Sequence, residues 1–587
     1  MVKQPLISQL AVLSDQRTCA ILDQDGTLNW YCPRRFDEAA VFSLLVDDQT
    51  GGFWAVDAPG KRFQQRGFVA GSGVLQTQFF VTGGTLTLTD WLPLNGAFQG
   101  VVRTITAAPV AVTFTLRLRP EYGQQVDQAT SVATHSAVFL HTGLWLYASH
   151  PLHWHEQQVS FTVPAGEEGW AFLSEADKQP TAASLHTSQL ATQAGWQQLA
   201  AAFPYEGLYE REVMHSVRAI QQVTYAETGG VLAAATIALP EVLGAERNYD
   251  YRYVWMRDLA LITGALSTLD IDAKQEFKFL DFVAAALHEN QQACVTPLYR
   301  VDHSLVQQQQ ELQLSGYWGS QPVIIGNTAS DQRQLDAEAN VLIAAHMLYS
   351  KYGEQPHWDT IAQIADYICH HWDKKDNGIW EEGVLHHYTS SKVFAARGLE
   401  LVADYHPDPA EAARWRYNAG LIREFVATKC LTKTGAYASY AGSEQVDVSA
   451  ALFALWSYTE PDAPTMQATI RELEATYCRE QLYWRRLEEY DSRQEGAFLA
   501  GSCWMAHYYA VAGDLSKSEA ILNAVARFQN DLGYFSEEAD VAKGLLLGNF
   551  AQSFVHSSFI CAANGLTKAH AGIDTRVLPR IVTPTVS

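Results

Sequence analysis

No uninterrupted apolar run in the 587-residue chain approaches the roughly 18 residues of a membrane-spanning helix, so a membrane span is not expected. A secretion leader is missing as well: the apolar stretch near the N-terminus is broken by Ser8, Gln9 and Ser14 and is followed by Asp15. Basic residues are scarce. Forty-one Lys and Arg against 64 Asp and Glu leave a net charge of −23, which repels nucleic acid and anionic membrane. The eight cysteines are scattered from Cys19 to Cys561 without CxxC or zinc-type spacing, as expected of free thiols in a reducing cytoplasm. No glycine loop of the nucleotide-binding kind occurs. The adjacent pairs His370–His371 and His386–His387 carry side chains that usually point apart, so no metal site is evident. A cytoplasmic protein without cofactor or metal is expected, as monomer or homodimer.

What is present describes a packed globular chain. Apolar residues make up 48% and charged residues 18%, and the length implies two or more domains. Up to about residue 190 the pattern has a period of two. "ILDQDGTLNWY" reads as strand, Asp25–Gly26 turn, strand, and "VLQTQFFVTGGTLTLTDWL" alternates on either side of Gly83–Gly84. Val112, Phe114, Leu116 and Leu118 alternate with polar neighbours, and an antiparallel sandwich follows. Beyond that point the period lengthens to between three and four. "AKQEFKFLDFVAAALHEN" places Phe277, Leu280, Val283 and Leu287 on one face, and eleven or twelve such segments follow residue 208. A dozen helices can close as six antiparallel pairs in a double-walled barrel. No fixed-period repeat supports a solenoid instead.

Three loop islands carry candidate chemistry. "LPEVLGAERNYDYRYVWMRDLALI" sets Arg247, Asp250, Arg252, Arg257 and Asp258 among Tyr249, Tyr251, Tyr253 and Trp255. Arg and Asp can grip vicinal hydroxyls in pairs while aromatic rings stack on a sugar; an ion-pair cluster at a domain junction is the structural alternative. "LSGYWGSQPVIIGNTASDQRQLD" holds Trp318 in a glycine-shaped loop. "DKKDNGIWEEGVLHHY" places Glu381 and Glu382 directly after Trp380. Two carboxylates from distant loops are the minimum for hydrolysing a glycosidic bond, one donating a proton and one accepting it. An indole against Glu381 would desolvate it, as a general acid requires. For the second carboxylate, Glu495, Glu537 and Glu538 are candidates.

These islands, with "EGAFLAGSCWM" and "DLGYFSEEAD…GLLLGNFAQSF", together resemble glycoside hydrolase family 15, which includes prokaryotic glucoamylases, glucodextranases, isomaltose-type glucohydrolases and trehalases. The likeness runs in the same order over nearly the whole chain. It implies an N-terminal super-β-sandwich (1–192), a helical linker (193–225) and an (α/α)6 barrel (226–587). It implies exo-acting, inverting release of β-glucose from short α-gluco-oligosaccharides without a cofactor. By position, Glu381 matches the general acid and Glu537 the general base, with Glu538 and Glu495 still open for the latter. Arg257 and Asp258 match the pair that grips the terminal glucose, and Trp255 and Trp380 match its aromatic walls. Tyr249 stands where the family often has Trp. Glu382, where many relatives have an apolar residue, is expected either to face the next sugar or to be a second loop charge. Trehalase activity is the alternative within the family. An inverting phosphorylase is a more distant one, and the "SEE" carboxylates favour hydrolysis over it.

Overall fold

The computed structural model describes residues 3–94, 96–269, 276–485 and 494–578. Between Ala11 and Ser174 the chain forms two antiparallel sheets of seven and eight strands, packed on a shared apolar core. The period-two segments are strands as expected. Val112, Phe114 and Leu116 are buried while Thr113, Thr115 and Arg117 between them are half-buried. Val81 pairs with Gly84 across the predicted hairpin, and Gly26, at φ 74°, makes the turn between Cys19–Leu22 and Leu28–Tyr31.

The first helix, α1 (Ala182–Ala201), starts before the expected boundary at residue 192, so that boundary falls inside it. Thr181 and Ser184 close its N-terminus reciprocally, each side chain bonding the other's backbone N–H. The remaining described helices form two concentric walls. The outer wall is α2 (Glu210–Gln222), α4 (Lys278–Glu289), α6 (Trp358–His371), α8 (Pro409–Lys429), α10 (Pro464–Tyr477) and α12 (Leu515–Ala526). Inside it stand α3 (Met256–Ser267), α5 (Leu335–Tyr352), α7 (Thr389–Val402), α9 (Ala451–Leu455), α11 (Leu499–Ala512) and α13 (Ser553–His570). The inner helices are buried nearly all round: α5 and α11 have apolar residues on every face, whereas outer α4 buries Leu280, Val283 and Leu287 and leaves its other side to solvent. A β-sandwich followed by an (α/α)6 barrel is therefore the architecture.

The two domains are joined by buried polar contacts. Arg252, 1% exposed, donates to both Asp250 oxygens (3.0 and 2.8 Å) within its own loop. Its Nη1 reaches the Glu38 carbonyl of the sandwich (2.8 Å), its Nη2 also donates to the Tyr122 hydroxyl (3.0 Å), and its guanidinium lies over the Trp30 and Tyr122 rings. The junction alternative for this island thus holds for Asp250 and Arg252. Arg252→Met would leave Asp250 buried without its countercharge. We expect a loss of about 3–5 kcal/mol in urea unfolding; a loss under about 1 kcal/mol, typical of an exposed pair, would contradict the assignment.

Candidate active site

A cavity opens at the end of the barrel where the inner helices begin. It encloses about 900 Å³ of atom-free space with its mouth included, within the range of small-molecule sites. Its walls come from the loop before α3, the segment before α5, the loop before α7, the start of α11, the start of α13 and a late hairpin. Helix N-termini bring partial positive charge to this end, which suits a site rich in carboxylates.

The chain enters α3 through Trp255 in extended conformation, so Arg257 and Asp258 fall in the first turn, both buried and both facing the cavity. Arg257 is anchored at 2.9 Å to Asp258 and at 2.7 Å to the Ile379 carbonyl, and it reaches Glu381 Oε1 at 3.3 Å. Trp255 Nε1 donates to the same oxygen at 2.5 Å. Tyr249 and Tyr251 stack nearly parallel along the wall, with Arg247 over the Tyr249 ring.

The loop before α7 is fixed from beneath. Asp376, fully buried, pairs with the equally buried Lys392 at 3.2 Å and accepts bonds from Gly378 N and Ser391 Oγ. Gly378 has φ +67°, and a Cβ there would stand 2.6 Å from the Tyr388 ring, so no other residue fits. Gln332 holds the Glu381 carbonyl, and Asn377 holds that of Glu382. Glu381 itself sits at φ 61°, an uncommon conformation for a side-chain-bearing residue that places its carboxyl in the cavity. Glu382 also lines the cavity and is only 6% exposed, which removes the solvated-charge alternative for it.

Ser536–Asp540 and Leu545–Phe550 form the hairpin that carries the late carboxylates. Successive strand residues face opposite sides, and here Glu537 takes the cavity side while Glu538 is turned away. A bulge opposite Glu537 brings Gly548 against it; a Cβ at Gly548 would lie 2.8 Å from Glu537 Cβ. Tyr251 donates to Glu537 Oε1 at 3.0 Å. Burial, together with the charges of Glu241 and Glu495, pushes the Glu537 carboxyl up to about 8 against the pull of Arg485. A base that binds its proton near neutrality is well matched to deprotonating water.

Of the expected site residues, Glu381, Glu537, Trp255, Arg257, Asp258, Trp380, Glu382 and Tyr249 share this one cavity. Trp318 does not line it. Its loop turns at φ 49° onto the N-terminal segment, where its ring stacks on Tyr317 and its backbone N–H donates to Gln4. The desolvating contact expected from Trp380 is also corrected. The Trp380 indole N–H goes to Asp447 at 2.7 Å and its ring packs on Phe498 and Trp504, while Trp255 is the indole that touches Glu381. Glu241, Gln332, Arg485, Phe498, Gln552 and Phe554 line the cavity without having been picked out by sequence. Gln552 caps the N-terminus of α13 through its side chain, a role that the usual N-cap preferences for Ser, Thr, Asp and Asn do not signal in the sequence.

The profile of glycosyl hydrolases family 15 matches residues 207–519 and 516–564, and that of a trehalase-like N-terminal domain matches residues 2–154. The chain belongs to glycosyl hydrolase family 15 and is a glycosidase. A trehalase of Thermoplasma volcanium is 26% identical over 96% of this chain and 94% of its own. One of Mycobacterium tuberculosis is 27% identical over 97% and 91%. A bacterial glucoamylase solved with acarbose superposes with a TM-score of 0.73 at 12% identity, covering 99% of this chain and 97% of that chain, which shows the shared fold.

Gly548→Ala tests how tightly Glu537 is held. The added methyl must displace the carboxylate, and a shift of about 1 Å is expected to lower kcat roughly 100-fold with little change in KM. An unchanged kcat in steady-state kinetics would show that Glu537 is not held by this contact.

Proposed function

We propose that the protein is an inverting α,α-trehalase. The observation that carries this reading is the pair Glu381 and Glu537 facing one cavity from separate loops, with Glu538 and Glu495 outside it. The relatives named trehalase, matched along more than nine-tenths of both chains, support trehalose over a glucoamylase-type substrate.

In this reading Arg257 and Asp258 hydrogen-bond vicinal hydroxyls of one glucose, and Trp255 and Trp380 wall it. Glu381 donates its proton to the glycosidic oxygen. Glu537 takes a proton from water, which attacks C1 from the opposite face as the C1–O bond breaks. The attacked ring leaves as β-glucose and the other, whose own C1–O bond is never broken, leaves as α-glucose. Glu382 binds the leaving glucose in this reading, and its substitution by Ala is expected to raise KM more than it lowers kcat.

Proton NMR of trehalose turnover, with and without inorganic phosphate, tests the reading. Equal early amounts of α- and β-glucose are expected. Only α-glucose would mean retention, a sugar phosphate would mean a phosphorylase, and turnover of maltose, isomaltose, kojibiose or nigerose in place of trehalose would return the glucoamylase-type assignment. Glu381→Gln and Glu537→Gln should each lower kcat by at least about 100-fold. The pH dependence follows from the raised Glu537 carboxyl. Because the base works only when ionised, activity is lost as pH falls, and this acidic limb should lie well above 4.5, the ordinary glutamate value. A limb near 4.5 in kcat/KM would contradict the role of Glu537.

A further inference from the structure

Around Glu537 lie more buried carboxylates than the reaction uses. Glu241, which lines the cavity, and Glu495 and Glu538, which do not, are each at most 6% exposed, and among the described residues Arg247 and Arg485 are the guanidinium groups that pair with them. Arg485 bridges the set. Its Nη2 lies 2.6 Å from Glu241 and 3.2 Å from Glu538, its Nε 3.3 Å from Glu495, and its Nη1 3.7 Å from Glu537. Arg247 Nε adds contacts to Glu241 at 2.8 Å and Glu495 at 2.5 Å. Tyr251 and Tyr249 complete the groups facing them, with Gly496 N donating to Glu538.

Four carboxylates this deeply buried around the two described guanidinium ions resist being ionised together, since uncompensated buried charge is strongly unfavourable. Glu241 takes both arginines on one oxygen, and its carboxyl is pulled down by Arg485 and Arg247 against the cost of burial. Burial among like charges pushes the Glu538 carboxyl well up, which favours its protonated form. Among the described residues, balance with the two guanidinium ions then leaves one negative charge and one proton for Glu495 and Glu537 together. Burial and the charge of Glu241 also push Glu495 up, to about 7.

We propose that Glu495 and Glu537 share one proton across Arg485, which makes Glu495 a positioning residue that decides when the catalytic base is available. The inference rests on Glu537 being the base. With the charge on Glu495, Glu537 is protonated and idle; with the proton on Glu495, Glu537 is ionised and active. Glu495 never touches the substrate. Glu538 anchors the hairpin as a neutral acid, and Glu241 supplies the fixed negative charge.

Two isosteric variants give opposite expectations. Glu495→Gln cannot take the charge, so it stays on Glu537. The acidic limb of kcat/KM for trehalose is expected to move down by about half to one pH unit, which near the limb is a gain of about three- to tenfold. Glu538→Gln imitates a group that is already neutral and should leave the limb in place. A structural role for Glu495 would lower the plateau without moving the limb, and would overturn the proposal, as would a shift in Glu538→Gln equal to that in Glu495→Gln.

Thermal unfolding against pH gives a readout independent of turnover, available on the wild type even if Glu495→Gln fails to fold. Groups whose folded pKa is raised contribute stability that is fully present at low pH and lost as pH rises through the folded value. The wild type should therefore lose Tm as pH rises from about 4.5, the ordinary glutamate value, to about 7 to 8, and Glu495→Gln should lose less. A wild-type Tm that is flat across this range would overturn the sharing. Retention of activity in Glu537→Gln would instead overturn the role of Glu537 as base, while the Tm profile still reports on the shared proton.

Discussion

A carboxylate taken out of water needs a countercharge, and in this protein Arg485 supplies it to four at once. Its guanidinium lies over the Phe498 and Trp380 rings, between the start of α11 and the loop that carries Glu381. Glu537, its hairpin and the aromatic wall of the cavity therefore meet at one side chain. Removing that charge would leave the ionised members of the set without their shared countercharge, a cost above that of a typical single hydrogen bond. Glu381 is held by a separate device, in which Arg257 and Trp255 at the start of α3 bond the same carboxyl oxygen. Glu381 and Glu537 thus have different arginines, so the acid and base of the proposed mechanism can be set independently.

The barrel makes this arrangement possible by its direction. Its inner helices start at the cavity, so first-turn residues such as Arg257, Asp258 and Phe554 arrive there without long loops. The sandwich braces this end from outside. Arg252 reaches Glu38 and Tyr122 across the junction, within the same loop that supplies Tyr249, Tyr251 and Trp255 to the cavity. The loop is held on both sides, which limits its motion where positioning matters most.

Much of this was legible in the sequence because it is periodic or local. Alternation at Val112–Leu116 and the stripe of Leu280, Val283 and Leu287 depend on near neighbours and read directly. The adjacency of Trp380 and Glu381 likewise marked a loop that lines the cavity, and the family resemblance matched Arg257 and Asp258 in order. Direction in space was not legible. A tryptophan in a glycine-rich turn looks the same whether it packs on a sugar or on Gln4, so Trp318 was assigned to the wrong surface. The orientation of Trp380 depends on Asp447, a partner remote in sequence. Glu537 and Glu538 were bound to face opposite sides of a strand, yet only the pairing with Leu545–Phe550 decides which side is which. Arg485 sits in "YWRRLEEYD", where nothing periodic distinguishes it from its neighbours, and its role comes entirely from residues brought from elsewhere in the chain.

The most direct test of the account is a crystal structure of Glu381→Gln with trehalose bound. The account predicts that the side-chain carbons of residues 381 and 537 stand about 6.5–9.5 Å apart across the scissile bond, with a water between Glu537 and C1. A separation near 5–5.5 Å, or a water held by a carboxylate other than Glu537, would contradict it.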